Sequence, residues 1–143
     1  MGSSRIRSIL RSVQDLNEPV HVHGASPSAR ALILARWAAE RRKEGGSPLV
    51  VICADDDAVT DLASDLETLG AAAEDTPIRV STLPTWEQSP YSPIAPSIRS
   101  RFARVSTLST LCAASPDRTF PDIIITSLAA ACQATLPPSL LQN

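Results

Sequence analysis

One segment of the chain has the position and part of the composition of a phosphate-binding loop. Residues 24–31 (GASPSARA) lie where the pattern GxxxxGK[ST] joins a strand to a helix. In that pattern backbone amides wrap the phosphates, the lysine contacts the terminal phosphate and the hydroxyl holds Mg²⁺. Gly24 keeps the first position, whereas Ala29, Arg30 and Ala31 replace the second glycine, the lysine and the hydroxyl residue.

Each replacement weakens this loop as a nucleotide site. Ala29 adds a Cβ where the backbone often requires glycine, and Pro27 lacks an amide donor. Ala31 has no oxygen for magnesium, and Arg30 keeps the charge without the compact ammonium of lysine. We therefore predict no catalysis, no cofactor and no metal for this chain, with Ser26-Pro27 acting as a helix start. The alternative is a working NTPase lobe in which Gly24 and Arg30 contact ATP.

Two other polar clusters have simpler interpretations than a metal site. Asp55, Asp56 and Asp57 follow an apolar run, as a Walker B carboxylate does, but acidic residues there also cap the next helix, which we favour. His21 and His23 alternate along an expected strand and so share a face. We expect packing or surface exposure for both histidines, because no acidic or sulfur partner is near in sequence.

The hydrophobic pattern alternates between strands and helices. Helical spacing predicts an amphipathic helix in residues 1–18 and further helices beginning at Ser26, Asp55, Ser97 and Ser127. We expect strands at residues 20–23, 49–53, 78–81 and 123–126, and the unbroken apolar run at 49–53 is typical of a strand covered on both faces. The order predicts an α/β fold, a parallel doubly wound sheet flanked by helices, in the form of a degenerate RecA- or P-loop-like subdomain.

Apolar spacing also predicts which side of each helix faces the core. In the helix after Ser97 we expect the apolar residues inward and the arginines outward. The inward sets are Ala29, Leu32, Ile33 and Trp37; Val59, Leu62, Ala63, Leu66 and Leu69; and Ile98, Phe102, Val105, Leu108 and Cys112.

Five residues form a possible interaction surface. Arg99, Arg101 and Arg104 are able to contact a phosphate backbone, although outward arginines are more often a solvated face. Trp86 and Tyr91, in the proline-rich segment 84–96, either dock a partner or pin this loop to the domain. The net charge of −2 lacks the basic footprint of a dedicated nucleic-acid-binding domain, so we do not predict direct nucleic-acid binding.

Composition indicates one globular domain in a reducing compartment. The 143 residues are 43% hydrophobic and 20% charged, which is ordinary for a folded domain. Three cysteines, Cys53, Cys112 and Cys132, are odd in number and form no CxxC pair, which argues against a disulfide framework or zinc site. No apolar run reaches membrane-spanning length and no export signal is evident, so we expect a cytoplasmic protein with no membrane partner.

Three stretches, residues 83–93 (LPTWEQSPYSP), 100–103 (SRFA) and 108–111 (LSTL), carry a family resemblance. They resemble the N-terminal region of the bacterial transcription-repair coupling factors (Mfd), and the likeness extends from about Val20 to Pro138. That module is similar to the excision-repair protein UvrB, but with a decayed nucleotide loop. UvrB itself has an intact Gly-Lys-Thr loop and a tyrosine-rich hairpin after the equivalent of Tyr91, and this chain has neither.

The resemblance implies a place in a larger protein. It implies a parent that displaces stalled RNA polymerase, translocates on DNA with ATP and Mg²⁺ in downstream motor domains, and recruits UvrA through the next domain. We expect an amphipathic helix at 1–18, a UvrB-like subdomain with a degenerate P-loop at 19–138, and a truncated link at 139–143. The expected function is a non-catalytic scaffold; the alternatives are an NTPase or UvrB-type helicase lobe, or a domain binding a small ligand at the carboxyl ends of its strands.

Overall fold

The computed structural model describes residues 19–72, 77–86, 88, 91–112, 120–135 and 137–141. The helix predicted in residues 1–18 lies outside these ranges. The elements are α1 (Pro27–Lys43), β1 (Leu49–Cys53), α2 (Asp56–Ala72), β2 (Val80–Leu83), α3 (Ile98–Cys112), β3 (Ile123–Ser127), α4 (Leu128–Ala131) and α5 (Pro138–Leu141).

The strands form an open parallel sheet in the order β1-β3-β2. Leu49 of β1 and Val80 of β2 both align with Ile123 of the central strand. The chain is therefore a mixed α/β protein, as predicted. β2 begins two residues later than expected, because the backbone N–H of Arg79 donates to a carboxylate oxygen of Asp122, at 2.8 Å, instead of joining the ladder.

The core lies between one face of the sheet and the helices α1 and α2. In α2 the predicted face is confirmed: Val59 and Leu66 are buried, and the other three residues of that set pack against the same cluster. In α1 the prediction is right only for Trp37, which packs against the core cluster, because the buried residues are Ala31, Ala35 and Ala38, none of them in the predicted set. Their small side chains let α1 approach the rest of the core closely, while Trp37 covers its margin half-buried.

The strand predicted at Val20–His23 does not form: the described residues before α1 contain no strand. Val20 and Val22 are 43% and 46% exposed. Alternation of polar and apolar residues supplies the period of a strand, but a strand also needs a ladder partner, and the described sheet contains only β1, β3 and β2.

The two faces of the sheet are not equally covered. β3 is buried throughout, whereas Val50 and Ile52 of β1 are 63% and 56% exposed. The expectation that β1 is covered on both faces is therefore wrong. Helix α3 lies on this second face over β2, at the opposite edge of the sheet, and leaves the outer side of β1 bare.

In the remaining segments, the prolines mark where regular secondary structure is absent or begins. The described residues of segment 84–96 contain neither helix nor strand, as predicted. The helix after Ser127 ends after one turn at Ala131, and Pro138 is the first residue of α5. Within the described ranges, no helix is both long enough and apolar enough to cross a bilayer.

Candidate functional sites

The Gly24 loop is a helix start. Gly24 adopts a φ of +73°, which suits glycine, and the chain then enters α1 with Pro27 as its first residue. The Ser26 side chain caps the helix, since its Oγ accepts from the Ala29 amide at 3.3 Å. The helix-start interpretation of the sequence is confirmed.

These residues do not fit a magnesium–nucleotide complex. Ala31, at the position of the metal-binding hydroxyl, is completely buried in the hydrophobic core. The amide of Ala29, which would be needed to wrap a phosphate, is already bonded to Ser26. Arg30 is exposed on the helix, and the segment preceding Gly24 is not part of the described sheet. The loop thus lacks the strand that normally aims such a turn at a phosphate.

The aspartates after β1 act as a helix cap, as favoured from the sequence. Asp55 Oδ1 accepts from the Ala58 amide at 2.8 Å. Asp56 accepts a hydrogen bond from the Thr85 hydroxyl and so links the start of α2 to the segment after β2.

The two histidines lie near the start of the described chain. The rings of His21 and His23 stack with centroids 6.2 Å apart, on exposed backbone that is not a strand.

Helix α3 turns its polar side toward the sheet. Ser100, Arg104 and Thr107 are buried, whereas Phe102 is 71% exposed and Ile98 is 62% exposed. The predicted orientation is therefore wrong for Arg104 and for the apolar residues of the first two turns, whereas Arg99 and Arg101 are exposed as predicted. Ile98, Phe102 and Val105 form a stripe that points to solvent, and Leu108 and Cys112 are half-buried.

The strand under α3 explains this orientation. On its side of the sheet β2 presents the hydroxyl of Ser81, which lies 2.9 Å from the hydroxyl of Thr107. The same Thr107 hydroxyl also lies 2.9 Å from the carbonyl oxygen of Thr82. Buried polar groups must be hydrogen-bonded, so the polar side of α3 is the side that satisfies this part of the sheet.

Arg104 joins α3 to the carboxyl edge of the sheet. Its Nη1 donates to the carbonyl oxygens of Pro84, at 2.6 Å, and Ala130, at 3.5 Å. Its guanidinium lies 5.0 Å from the ring centroid of Trp86, whose amide donates to Oε1 of Gln133 at 2.7 Å. Burial lowers the pKa of Arg104, and its Nε and Nη2 have no hydrogen-bond partner among the described residues.

The five residues of the predicted interaction surface divide into two groups. Trp86 and Arg104 meet inside the molecule, which supports the interpretation that Trp86 pins the loop. Tyr91 is 95% exposed, and Arg99 and Arg101 are exposed on α3. Beside α3 lies a groove of about 780 Å³, whose lining includes Trp86, Pro93, Ile94, Arg101 and Gln133.

Sequence analysis missed an ionic cluster around the buried Asp122 at the amino edge of the sheet. The Asp122 carboxylate, directly before β3, accepts from Arg42 at 3.0 Å and from the guanidinium of Arg79 at 3.0 Å. The three residues lie far apart in sequence, so no local pattern marks them. The only available signal was a carboxylate placed against a fully apolar strand, where burial requires a cationic partner.

The pKa of Asp122 shows which effect dominates in this cluster. Burial alone raises the pKa of this carboxyl group, but hydrogen bonds from the side chain and backbone of Arg79 oppose it. Together with the positive charges of Arg79 and Arg42, they hold the pKa below its ordinary value. Through these ion pairs the cluster links the end of α1 to the residues directly before β2 and β3.

Comparison with known proteins adds no relative to this picture. No family model, curated protein or solved structure matches the chain. A functional proposal therefore depends on the residues and contacts described above.

Proposed function

We propose that this chain is a cytoplasmic, non-catalytic scaffold subdomain of a DNA-repair translocase of the transcription-repair coupling type. The observation that carries the proposal is the state of the Gly24 loop. Ala31 is packed into the core where a nucleotide site needs a hydroxyl, and the amide of Ala29 is used by the Ser26 cap. A RecA- or P-loop-like ancestry with a lost phosphate site accounts for this combination.

A scaffold needs surface to offer to neighbouring domains, and the second face of the sheet supplies it. Val50 and Ile52 on β1, and Ile98 and Phe102 on α3, are each more than half exposed. Covering one such side chain fully is worth about 1.5–3 kcal/mol. Surface of this kind on a soluble domain marks a site of contact with protein.

Residues that carry the family resemblance have structural roles in this fold. Trp86 lies against Arg104 and is hydrogen-bonded through its amide to Gln133. Ser100, at the start of the second resembling stretch, is buried on the sheet side of α3. Both positions support a stable platform after β2, which agrees with a supporting role.

The larger assembly is part of the same proposal. In it, ATP and Mg²⁺ act only in motor domains elsewhere in the parent chain, and those domains bind DNA and RNA polymerase. UvrA is recruited by the domain that follows this one. The subdomain itself contributes no cofactor site, no metal site and no membrane contact; its partner is the rest of the parent chain.

Isothermal titration with ATP and Mg²⁺ tests the non-catalytic part of the proposal and the rival NTPase function together. We expect no magnesium-dependent binding heat, and identical traces for the wild type and Arg30→Ala. Micromolar binding that requires Mg²⁺ and is lost in Arg30→Ala would overturn the proposal in favour of a working NTPase lobe.

The coding sequence that surrounds these 143 residues tests the translocase part. A parent of the proposed type contains intact helicase motifs, including a GxxxxGK[ST] loop, downstream of this domain. A complete reading frame without such motifs would refute the assignment to a translocase.

A further inference from the structure

The outer face of α3 has the composition of a docking surface. We define this face as Ile98, Arg99, Arg101, Phe102 and Val105. Its three apolar residues, spaced by four and then three positions, form one stripe along the helix, with Ile98 62% and Phe102 71% exposed.

This stripe cannot be buried by rotating the helix. The opposite side of α3 is fixed by hydrogen bonds from Arg104 to the carbonyl oxygen of Pro84 and from Thr107 to β2. Turning the stripe toward the sheet would break these hydrogen bonds, and its apolar side chains could not replace them. Among the described residues the stripe therefore stays exposed, and a partner can cover it without disturbing these bonds.

The charges around the stripe select the kind of partner. Arg99 and Arg101 are exposed on α3, and residues 98–112 contain no acidic side chain. Arg101 also lines the adjoining groove of about 780 Å³ together with Pro93 and Ile94, and the described lining of that groove includes no carboxylate. Among the described residues, the face therefore combines an apolar stripe with positive charge that has no ion-pair partner.

We propose that the outer face of α3 binds an amphipathic helix of a partner domain that carries Asp or Glu beside its apolar stripe. This inference rests on the proposed scaffold function and specifies its partner. A helix with apolar residues at three- and four-residue spacing matches the stripe, and its carboxylates match Arg99 and Arg101. Nucleic acid fits less well, because two cations beside a phenylalanine and an isoleucine offer little phosphate neutralisation.

The test uses two synthetic helical peptides of equal length with the same leucine stripe, one flanked by glutamates and one by lysines. Binding to the full chain is measured by fluorescence anisotropy. We expect the glutamate peptide to bind and the lysine peptide to bind about tenfold more weakly. In the double variant Arg99→Glu, Arg101→Glu the preference should reverse toward the lysine peptide.

A matched pair of variants locates the binding site. Phe102→Ser should weaken the glutamate peptide at least about tenfold, since it removes the central apolar contact. Leu128→Ser, which changes an apolar residue of similar exposure (58%) on α4, should leave the affinity unchanged. Circular dichroism of each variant confirms that the fold is kept.

Several outcomes would overturn the inference. They are equal affinity for the two peptides, no binding of the glutamate peptide at millimolar concentration, or no reversal in the double variant. Self-association that Phe102→Ser abolishes would show that a second copy covers the stripe instead. Because the ATP titration reports on the Gly24 loop and the peptides report on α3, failure of the scaffold function and failure of the partner assignment are distinguishable.

Discussion

Helices α2 and α3 are of similar length, 17 and 15 residues, and lie against the same sheet, yet they turn opposite kinds of side chain toward it. In α2 the apolar side faces inward, with Val59 and Leu66 buried among the core residues. In α3 the polar side faces inward, with Arg104 almost completely buried and Phe102 mostly exposed.

The difference shows that the buried face of a helix depends on whether the strand beneath it carries apolar or polar side chains. Under α2 lie Ile123 and Ile125, which offer only apolar surface. Under α3 lies Ser81, whose hydroxyl needs a partner and finds Thr107. Helix α3 therefore packs with the side that satisfies the polar groups of β2. Its apolar stripe remains exposed to solvent.

The largest loss of folding stability in this comparison is expected for a change at Leu66. Leu66→Ala removes a completely buried side chain from the apolar interface of α2 and should lower the free energy of unfolding by about 3 kcal/mol. Urea denaturation followed by circular dichroism measures the loss. A loss below about 1 kcal/mol would mean that the interface of α2 is not the main apolar core.

A smaller loss of stability is expected at Asp122, the ionic anchor at the amino edge of the sheet. Asp122→Asn leaves Arg42 and Arg79 without their shared carboxylate and should cost about 2 kcal/mol at pH 7, because both arginines keep partial solvent contact. The matched control is Asp61→Asn on α2, an exposed position that should change stability by less than about 0.5 kcal/mol.

The pH dependence of this difference has a defined sign. The folded-state pKa of Asp122 lies below its unfolded value, so the unfolded state binds the proton more readily. The carboxylate therefore contributes its full stability above about pH 5 and loses it as the pH falls through the folded pKa. The gap between wild type and Asp122→Asn should narrow as the pH is lowered from about 5 toward 3. A gap that widens on acidification would contradict the ionic tie.

The next largest loss of stability is expected for the conservative change Arg104→Lys on the inward side of α3. Lysine keeps the charge but lacks the planar group that lies over Trp86 and reaches the Pro84 carbonyl, so the loss should be about 1–2 kcal/mol. Urea unfolding measures it, and a shift in tryptophan emission should accompany the change. Arg101→Lys on the outer side should cost less than about 0.5 kcal/mol. Equal effects at the two positions would contradict the inward orientation of Arg104.

Much of the fold was predictable because its signals are local. The Ser26 cap and the apolar stripe of α2 are set by residues within one or two turns, and both predictions are confirmed. The three isoleucines at 123–125 marked the strand predicted at residues 123–126, which is confirmed as β3. The strand predicted at residues 20–23 was wrong, because alternation is a local signal and strand pairing is not.

The sites were harder to predict, because they depend on contacts across the chain. That the Gly24 loop does not have the second glycine, the lysine and the hydroxyl of a P-loop could be seen directly in the sequence. The inward turn of Arg104 depends on acceptors at Pro84 and Ala130, which no spacing rule connects to it. The tie between Asp122 and Arg42 spans 80 positions and is equally invisible in the local pattern.

The smallest effect on the isolated protein is expected at Phe102. Because this ring is 71% exposed, Phe102→Ser removes little buried area and should change the free energy of unfolding by less than about 0.5 kcal/mol. The same urea titration used for Leu66→Ala measures it, which makes the two variants a direct comparison of the inner face of α2 with the outer face of α3. A loss near that of Leu66→Ala would mean that the stripe is already covered within the chain, and α3 would then have no apolar face to offer a partner.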